Sequence, residues 1–297
     1  MLPAMTHLPS THPLAGRVAL ITGANTGIGR ITARELASQG AQVFIACRSA
    51  ERARPALDEI RAAAAGSGGT VEGLSLDLGD LRSVRQCAQD FLARGLPLHL
   101  LVNNAGIAGA RGLTASGFEL AFGINHVGHF LLTTLLLERI QRSAPARIVT
   151  VASKAHLRAR AIDWQAVRQP TRAATGLPEY AVAKLANVLF SAELARRLAG
   201  SGVSTYSLHP GVVASDVWRA VPWPLRPLLK LAMLSTEEGA RTTLHCATSP
   251  RAAAETGLYY DGCRIRTPSK LAQDAGLAAD LWTRSEHWVR SGADLAA

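Results

Sequence analysis

Short apolar runs rich in β-branched residues recur at 17–22, 41–47, 70–76, 98–102, 146–152 and 202–208, separated by helical stretches near 28–39, 51–65, 80–94, 115–142 and 179–199. The runs have the length and composition of buried strands. Alternation of strand and helix along the whole chain predicts parallel strands joined by right-handed crossovers, and so an α/β fold: a doubly wound parallel sheet with helices on both faces. In such a sheet ligands bind beyond the carboxyl ends of the strands, at the topological switch point. A further strand near 256–260 completes the sheet. No repeat, low-complexity tract or linker divides the chain, so a single domain is expected over 15–297 behind a flexible tail at 1–14.

The first strand runs into Thr22-Gly23-Ala24-Asn25-Thr26-Gly27-Ile28-Gly29 and then into a helical pattern. A glycine-rich turn between strand and helix lets backbone approach a pyrophosphate with no Cβ in the way, and the helix start adds unpaired N–H groups and a positive dipole end. Gly23, Gly27 and Gly29 are the natural cradle. Their spacing, Gly-x-x-x-Gly-x-Gly, differs from the general dinucleotide fingerprint Gly-x-Gly-x-x-Gly, and a tight connection that binds nothing is the plainer alternative. The second strand ends in Cys47-Arg48. A carboxylate there would hold the ribose hydroxyls of NAD, whereas an arginine suits the 2′-phosphate of NADP, so Arg48 predicts NADP(H), with NAD as the alternative.

Tyr180 and Lys184 stand four residues apart in a helical stretch, which points both side chains from one face. Tyrosine, with a pKa near ~10, stays protonated at neutral pH, and an adjacent cation draws it toward the working range of a general acid. A lone Tyr-x-x-x-Lys is common by chance; what precedes this one gives it weight.

The glycine turn, Asn103-Asn104-Ala105-Gly106, Asn125 within Phe122-Gly-Ile-Asn-His-Val-Gly-His-Phe130, Ser153 after Ile148-Val-Thr-Val-Ala, Tyr180 with Lys184, and Pro210-Gly211 follow one another in an order that resembles the short-chain dehydrogenase/reductase family over roughly residues 15 to 290. The phrases Gly-Ala-Asn-Thr-Gly-Ile-Gly, Ala-Cys-Arg, Asn-His-Val-Gly-His-Phe-Leu-Leu-Thr and Lys-Leu-Ala-Asn-Val-Leu-Phe look like its retinol dehydrogenase-like branch. The resemblance implies a Rossmann-type fold and a reversible hydride transfer between NADP(H) and a carbonyl/alcohol pair. It implies that Tyr180 is the proton donor and Ser153 a second hydrogen-bond donor to the same substrate oxygen. Lys184 would tune Tyr180 and grip the nicotinamide ribose, and Asn125 would hold the water of a proton relay. On the cofactor, it implies contacts from Asn25, Thr26, Ile28, Asp77, Leu78, Asn104, Ala105 and Gly106, and from Pro210, Gly211, Val213 and Ser215 near the nicotinamide. Asp77 could equally be the N-cap of the helix that follows it. Relatives commonly pair through the helices bearing Asn125 and Tyr180, which implies a homo-oligomer.

Two segments bear on the substrate. The gap between Ser153 and Tyr180 is about twice that of the simplest family members, as in the retinol dehydrogenase-like branch, and is expected to form a loop at the site mouth. Residues 217–234 combine two tryptophans, three prolines and many aliphatics. They read as a lid over a lipophilic aldehyde, ketone or alcohol that could also touch a membrane surface; an ordinary buried helix and loop is the alternative.

The formal charge of +10 invites a nucleic-acid partner, but only four of the 32 basic residues are lysine and the arginines are scattered singly or in pairs, so none is expected. The four cysteines are far apart, which indicates neither zinc nor disulfides and fits a reducing compartment. His126 and His129 lack a neighbouring carboxylate or thiol and read as packing beside the cofactor, with no metal. No run approaches the ~18 uninterrupted apolar residues of a membrane span, and the first residues lack the features of a signal peptide, so a cytoplasmic protein is expected. A catalytically idle dinucleotide sensor or scaffold is the rival function; it has no need of the Asn-Ser-Tyr-Lys set.

Overall fold

The computed structural model describes residues 12–211 and 235–294. Seven strands run parallel in the order β3-β2-β1-β4-β5-β6-β7, and β8 adds an antiparallel edge. They are β1 (Val18–Thr22), β2 (Gln42–Cys47), β3 (Thr70–Ser75), β4 (Leu100–Asn103), β5 (Ala146–Val151), β6 (Val203–His209), β7 (Leu258–Asp261) and β8 (Arg264–Ile265). The antiparallel edge was not anticipated. Its cause is local: Gly262 and Cys263, at φ 60° and 58°, form a two-residue turn with both central residues in the left-handed region, which closes a tight hairpin.

The helices are α1 (Gly27–Ser38), α2 (Ala50–Ala63), α3 (Leu81–Leu92), α4 (Leu120–Arg142), α5 (Leu177–Arg197), α6 (Thr236–Thr248) and α7 (Ala275–Asp294). Alternate strand residues feed two cores. Ala19, Ile21, Val43 and Ile45 pack toward α1, α2 and α6, while Val18, Leu20, Phe44 and Ala46 pack toward α3, α4, α5 and α7. Burial on both faces is why the central strands read as continuous apolar runs.

Helix α4 has the length and composition to cross a bilayer, with mean hydropathy 1.5, but 72% of that stretch is buried inside the protein. It is apolar because it lies between the sheet and α7. Phe130 of α4 and Phe190 of α5 bracket Trp282 of α7 at centroid distances of 5.0 and 5.9 Å. His126 Nε2 lies 2.9 Å from Ser285 Oγ of α7. Thus α7 covers part of the outer surface of the two helices expected to pair with a second copy.

Neither α6 nor α7 was expected from the sequence. For α6 the signal is present: Ser235 and Glu238 form a reciprocal capping box, each bond 3.1 Å. At the other end of the chain, Leu14 N–H donates to Gln39 O at 3.0 Å, so residues 12–14 of the expected tail lie against the domain.

Candidate active site

Strand β1 stands between β2 and β4, so the chain leaves it in one direction for β2 and β3 and returns on the other side to β4. The carboxyl ends of β1 and β4 therefore flank the switch point. A cavity of about 1080 Å³ opens there, bounded by Gly23, Asn25, Thr26, Gly27, Ile28 and Gly29 on one side and Asn104, Ala105 and Gly106 on the other. It continues along the strand ends past Arg48, Asp77 and Leu78 in one direction, and past Ser153, Tyr180, Lys184, Pro210 and Gly211 in the other. All these candidates therefore share one wall. Val213, Ser215 and the expected lid at 217–234 lie outside the described residues.

The glycine turn has steric reasons of its own. Gly23 and Gly27 hold φ of 66° and 57°, the left-handed region that favours glycine. A Cβ on Gly29 would stand 2.4 Å from Asn104 Nδ2 and 2.8 Å from Gly23 O. Asn104 is itself fixed, its Nδ2 donating to Thr22 O at 2.8 Å and its backbone N–H to Thr22 Oγ1 at 3.0 Å. Helix α1 begins at the cavity with no side-chain cap from Thr26 and no acidic residue in its first turn. Free N–H groups with a positive dipole end, beside backbone bare of Cβ atoms, fit a pyrophosphate.

The two readings of Asp77 separate here. Asp80, not Asp77, caps α3, its Oδ1 accepting from Arg82 N–H at 2.9 Å. Asp77 Oδ1 accepts from Gly79 N–H at 2.9 Å, and Asp77 lies on the cavity wall. Arg48 is exposed at the end of β2 on the same wall.

At the other end, Ser153 closes β5 and caps a short 3-10 turn, Lys154–Arg158, its Oγ accepting from Ala155 N–H at 3.1 Å. Tyr180 lines the same wall, and the Ser153 side chain lies close enough to influence its ionisation. That turn is pinned by His156, fully buried, whose Nδ1–H donates to Ser153 O at 2.7 Å and whose Nε2 accepts from Ser269 N–H at 3.2 Å. The sequence offered no sign that His156 has this part.

Lys184 is buried, its Nζ donating to Val151 O at 2.7 Å and standing 5.6 Å from the centre of the Tyr180 ring. Burial pushes the Lys184 ammonium down to about 7. Tyr180 moves the other way: burial raises it, and the Ser153 side chain only partly opposes the rise. The expectation that the neighbouring cation draws the phenol downward thus meets a larger opposing effect, loss of water around both groups. Tyr180 is accordingly a protonated donor at neutral pH.

Asn125 lies in a π turn, Gly123–Val127, inside α4, and is fully buried. Its amide is committed to Ile107, accepting from the backbone N–H at 2.9 Å and donating to the carbonyl at 3.0 Å. A Cβ on Gly106 would stand 2.9 Å from Asn125 Oδ1, so the amide also occupies the space beneath that glycine. The side chain thereby fixes the loop that follows β4.

His129 extends the same network. Its Nδ1 is 3.0 Å from Asn125 O, a carbonyl that can only accept, so Nδ1 carries the proton. Burial lowers His129 to about 4, which keeps the ring neutral and leaves Nε2 as an acceptor. Thr22 Oγ1, 2.8 Å away, must then donate to it, while itself accepting from Asn104 and Ala105 N–H, each at 3.0 Å. One directional chain joins the turn after β4 to the π turn. The sequence reading placed His129 near the cofactor but did not foresee this bridge.

A family model described as short chain dehydrogenase matches residues 17–223. The chain belongs to that family. Among its relatives, Retinol dehydrogenase 12 of Homo sapiens is 46% identical over 279 residues, covering 92% of this chain and 86% of that protein. Retinol dehydrogenase 11 of Mus musculus is 43% identical, over 91% of this chain and 85% of its own length. An uncharacterized protein from Mycobacterium Paratuberculosis has a crystal structure that superposes with a TM-score of 0.73 at 35% identity, covering 94% of this chain and 96% of that one. RhlG of Pseudomonas aeruginosa, solved as an NADP active-site complex, superposes with a TM-score of 0.65 at 26% identity, over 90% and 99% of the two chains. The chain is thus an oxidoreductase of the retinol dehydrogenase-like kind, acting on a CH–OH/carbonyl pair with a nicotinamide cofactor.

Proposed function

We propose that this protein is an NADP(H)-dependent oxidoreductase that interconverts a lipophilic carbonyl compound and its alcohol, with Tyr180 as proton donor and acceptor. One observation carries the reading: Tyr180 and Ser153 stand on the wall of the same dinucleotide-sized cavity, close enough for the Ser153 side chain to oppose the rise of the Tyr180 pKa. Bound nicotinamide supplies or takes up the hydride. Ser153 donates a hydrogen bond to the substrate oxygen as negative charge grows there, and Tyr180, kept protonated by burial, delivers the proton. Lys184 lines the cavity close to Gly106, where it would hold the ribose of a bound cofactor, and its charge would steady the phenolate that Tyr180 becomes. Asn125 and His129 act as positioning residues for the turn on which the cofactor lies.

Lipophilic substrates are supported by Ala108, Ala110, Ala155, Leu177 and Pro178, which line the cavity beyond Tyr180. Ala155 follows Ser153 in the long segment before the catalytic helix, and Leu177 and Pro178 open that helix. Turnover of NADPH with aliphatic aldehydes and ketones of graded length tests the reading. Failure to oxidise NADPH with any of them, despite measurable cofactor binding, leaves the idle dinucleotide sensor as the function.

The preference for NADP rests on Arg48. With an arginine and no carboxylate at the end of β2, a 2′-phosphate gains a charge-assisted bond that a ribose hydroxyl cannot match. Arg48→Asp is expected to raise KM for NADPH by about tenfold or more, consistent with ~1.5–3 kcal/mol for a charged hydrogen bond, with a much smaller change for NADH. Equal changes for the two cofactors would dispose of the preference.

Lys184 gives a proton-linkage signature. Its pKa of about 7 in the unliganded protein should rise when an anionic cofactor binds beside it. Between pH 7 and the higher bound value, binding then takes up a proton, so affinity weakens as pH rises through that window and is level below it. Titration calorimetry at pH 8 in buffers of different ionisation enthalpy should show uptake approaching one proton, absent in Lys184→Met. No uptake by the wild type would refute this role for the buried ammonium.

A further inference from the structure

Among the described residues the cavity wall carries five charged side chains: Arg48, Asp77, Lys154, Arg158 and Lys184. Four have an evident task. Arg48 and Asp77 follow the ends of β2 and β3 and are assigned above to the adenosine half of the cofactor, Lys184 is assigned to its ribose, and Lys154 Nζ is paired with Asp261 Oδ2 at 2.8 Å. Arg158 remains. It is exposed to the cavity and forms no ion pair among the described residues.

The cofactor's anionic groups do not account for it. In the sheet order β2-β1-β4-β5, the strand that leads to Arg158 is three positions from the one that leads to Arg48. At about 4.8 Å per strand, that separation is roughly 14 Å. The pyrophosphate is served by the glycine turn between those strands. Arg158 therefore faces the part of the cavity left for substrate.

Its distance from the reacting centre is also fixed. Arg158 is the last residue of the 3-10 turn capped by Ser153, and His156 holds that turn by both ring nitrogens. Five residues at about 2 Å rise put the start of its side chain on the order of 10 Å from Ser153. Ala155, Leu177 and Pro178 line the same cavity. The wall thus presents two hydroxyls, apolar side chains and a guanidinium with no ion pair among the described residues.

From this arrangement we infer that the preferred substrates are amphiphiles: an alcohol or carbonyl at one end of an aliphatic chain and a carboxylate at the other, held by Arg158. A single positive charge matches a carboxylate, which a guanidinium can bind through two parallel hydrogen bonds. The inference rests on the oxidoreductase reading of this site and narrows its substrate class.

The test compares 10-hydroxydecanoate with 1-decanol, whose ten carbons at ~1.5 Å per bond reach on the order of 10 Å. Binding of each to the protein loaded with NADP⁺ is measured by calorimetry. Turnover is followed as NADPH formation, in which the carbinol carbon loses a hydride to NADP⁺ and Tyr180, having first released its own proton to solvent, takes up the hydroxyl proton, leaving an aldehyde. The wild type should bind the hydroxy acid more tightly, with a preference that shrinks as salt rises. In Arg158→Leu the ratio of hydroxy acid to alcohol, in Kd and in kcat/KM, should fall about fivefold, the upper range for an exposed ion pair, and further in Arg158→Glu. Equal binding of the two ligands by the wild type, or a ratio that neither variant moves, overturns the inference. Preferential binding through Arg158 without oxidation of either ligand supports the anion site while the redox reading alone fails.

Discussion

Tyr180→Phe is expected to lower kcat/KM for carbonyl reduction by about 10²–10⁴-fold, the usual contribution of a positioned general acid, while Kd for NADPH stays unchanged. The change removes one oxygen from a side chain that is otherwise packed: the ring is buried on α5, and nothing in the fold depends on its hydroxyl except the contact with Ser153. Loss of activity should therefore come without loss of stability. The substrate oxygen would still meet Ser153, but an aliphatic alcohol is a far weaker acid than the phenol, and Tyr180 has Lys184 Nζ 5.6 Å from its ring. The effect should thus fall mainly on kcat. Single-turnover NADPH oxidation together with cofactor titration checks both halves, and a variant that keeps more than about a tenth of wild-type turnover would falsify the proton-donor role.

Gly29→Ala is expected to weaken both the fold and cofactor binding. The new Cβ would lie 2.4 Å from Asn104 Nδ2, 2.8 Å from Gly23 O and 3.0 Å from Ala24 Cα, so two of the three obstacles are backbone. Asn104 cannot swing aside freely, because its Nδ2 donates to Thr22 O at 2.8 Å. Overpacking of this kind costs about 1–3 kcal/mol, and here the turn that must yield is the one that faces the pyrophosphate. Chemical denaturation should show that loss, and NADPH affinity should drop about tenfold or more as the N–H groups of α1 move out of line. By contrast, Gly66→Ala should leave affinity intact: its added Cβ meets no atom within 4 Å, and its cost is confined to a φ of 83°. A Gly29→Ala protein with wild-type stability and affinity would mean that the cradle is not set by this packing.

Much of the fold was legible because both faces of the sheet are buried. A strand such as 42–47 is then apolar from Val43 to its end, and the glycines of the first turn stand out against such runs. The helix ends were legible to within a few residues, except at α4: the sequence pattern suggested a start near 115, but the regular helix begins at Leu120, after an isolated bridge between Leu113 and Glu119. Helix α6 could have been found from Ser235 and Glu238. Helix α7 was harder to see, since its buried positions Ala278, Leu281, Trp282, Ser285 and Val289 mix small, large and polar residues. Its apolar stripe makes sense only opposite Phe130 and Phe190, which are distant in sequence.

The sequence alone determined which chemical groups the site possesses and the order in which strand ends present them, since alternating strand and helix with a glycine turn admits few arrangements. Tertiary structure decided their state. Water excluded from the Tyr180–Lys184 pair raises the phenol and lowers the amine, reversing the effect that spacing alone suggested, because desolvation depends on what packs around a group and not on its neighbours in the chain. Likewise, only the fold shows that Asn125 is committed to Ile107, that His129 bridges Thr22 to the π turn, and that Arg158 on the cavity wall forms no ion pair among the described residues. Each depends on contacts between residues brought together by packing, which no local pattern encodes.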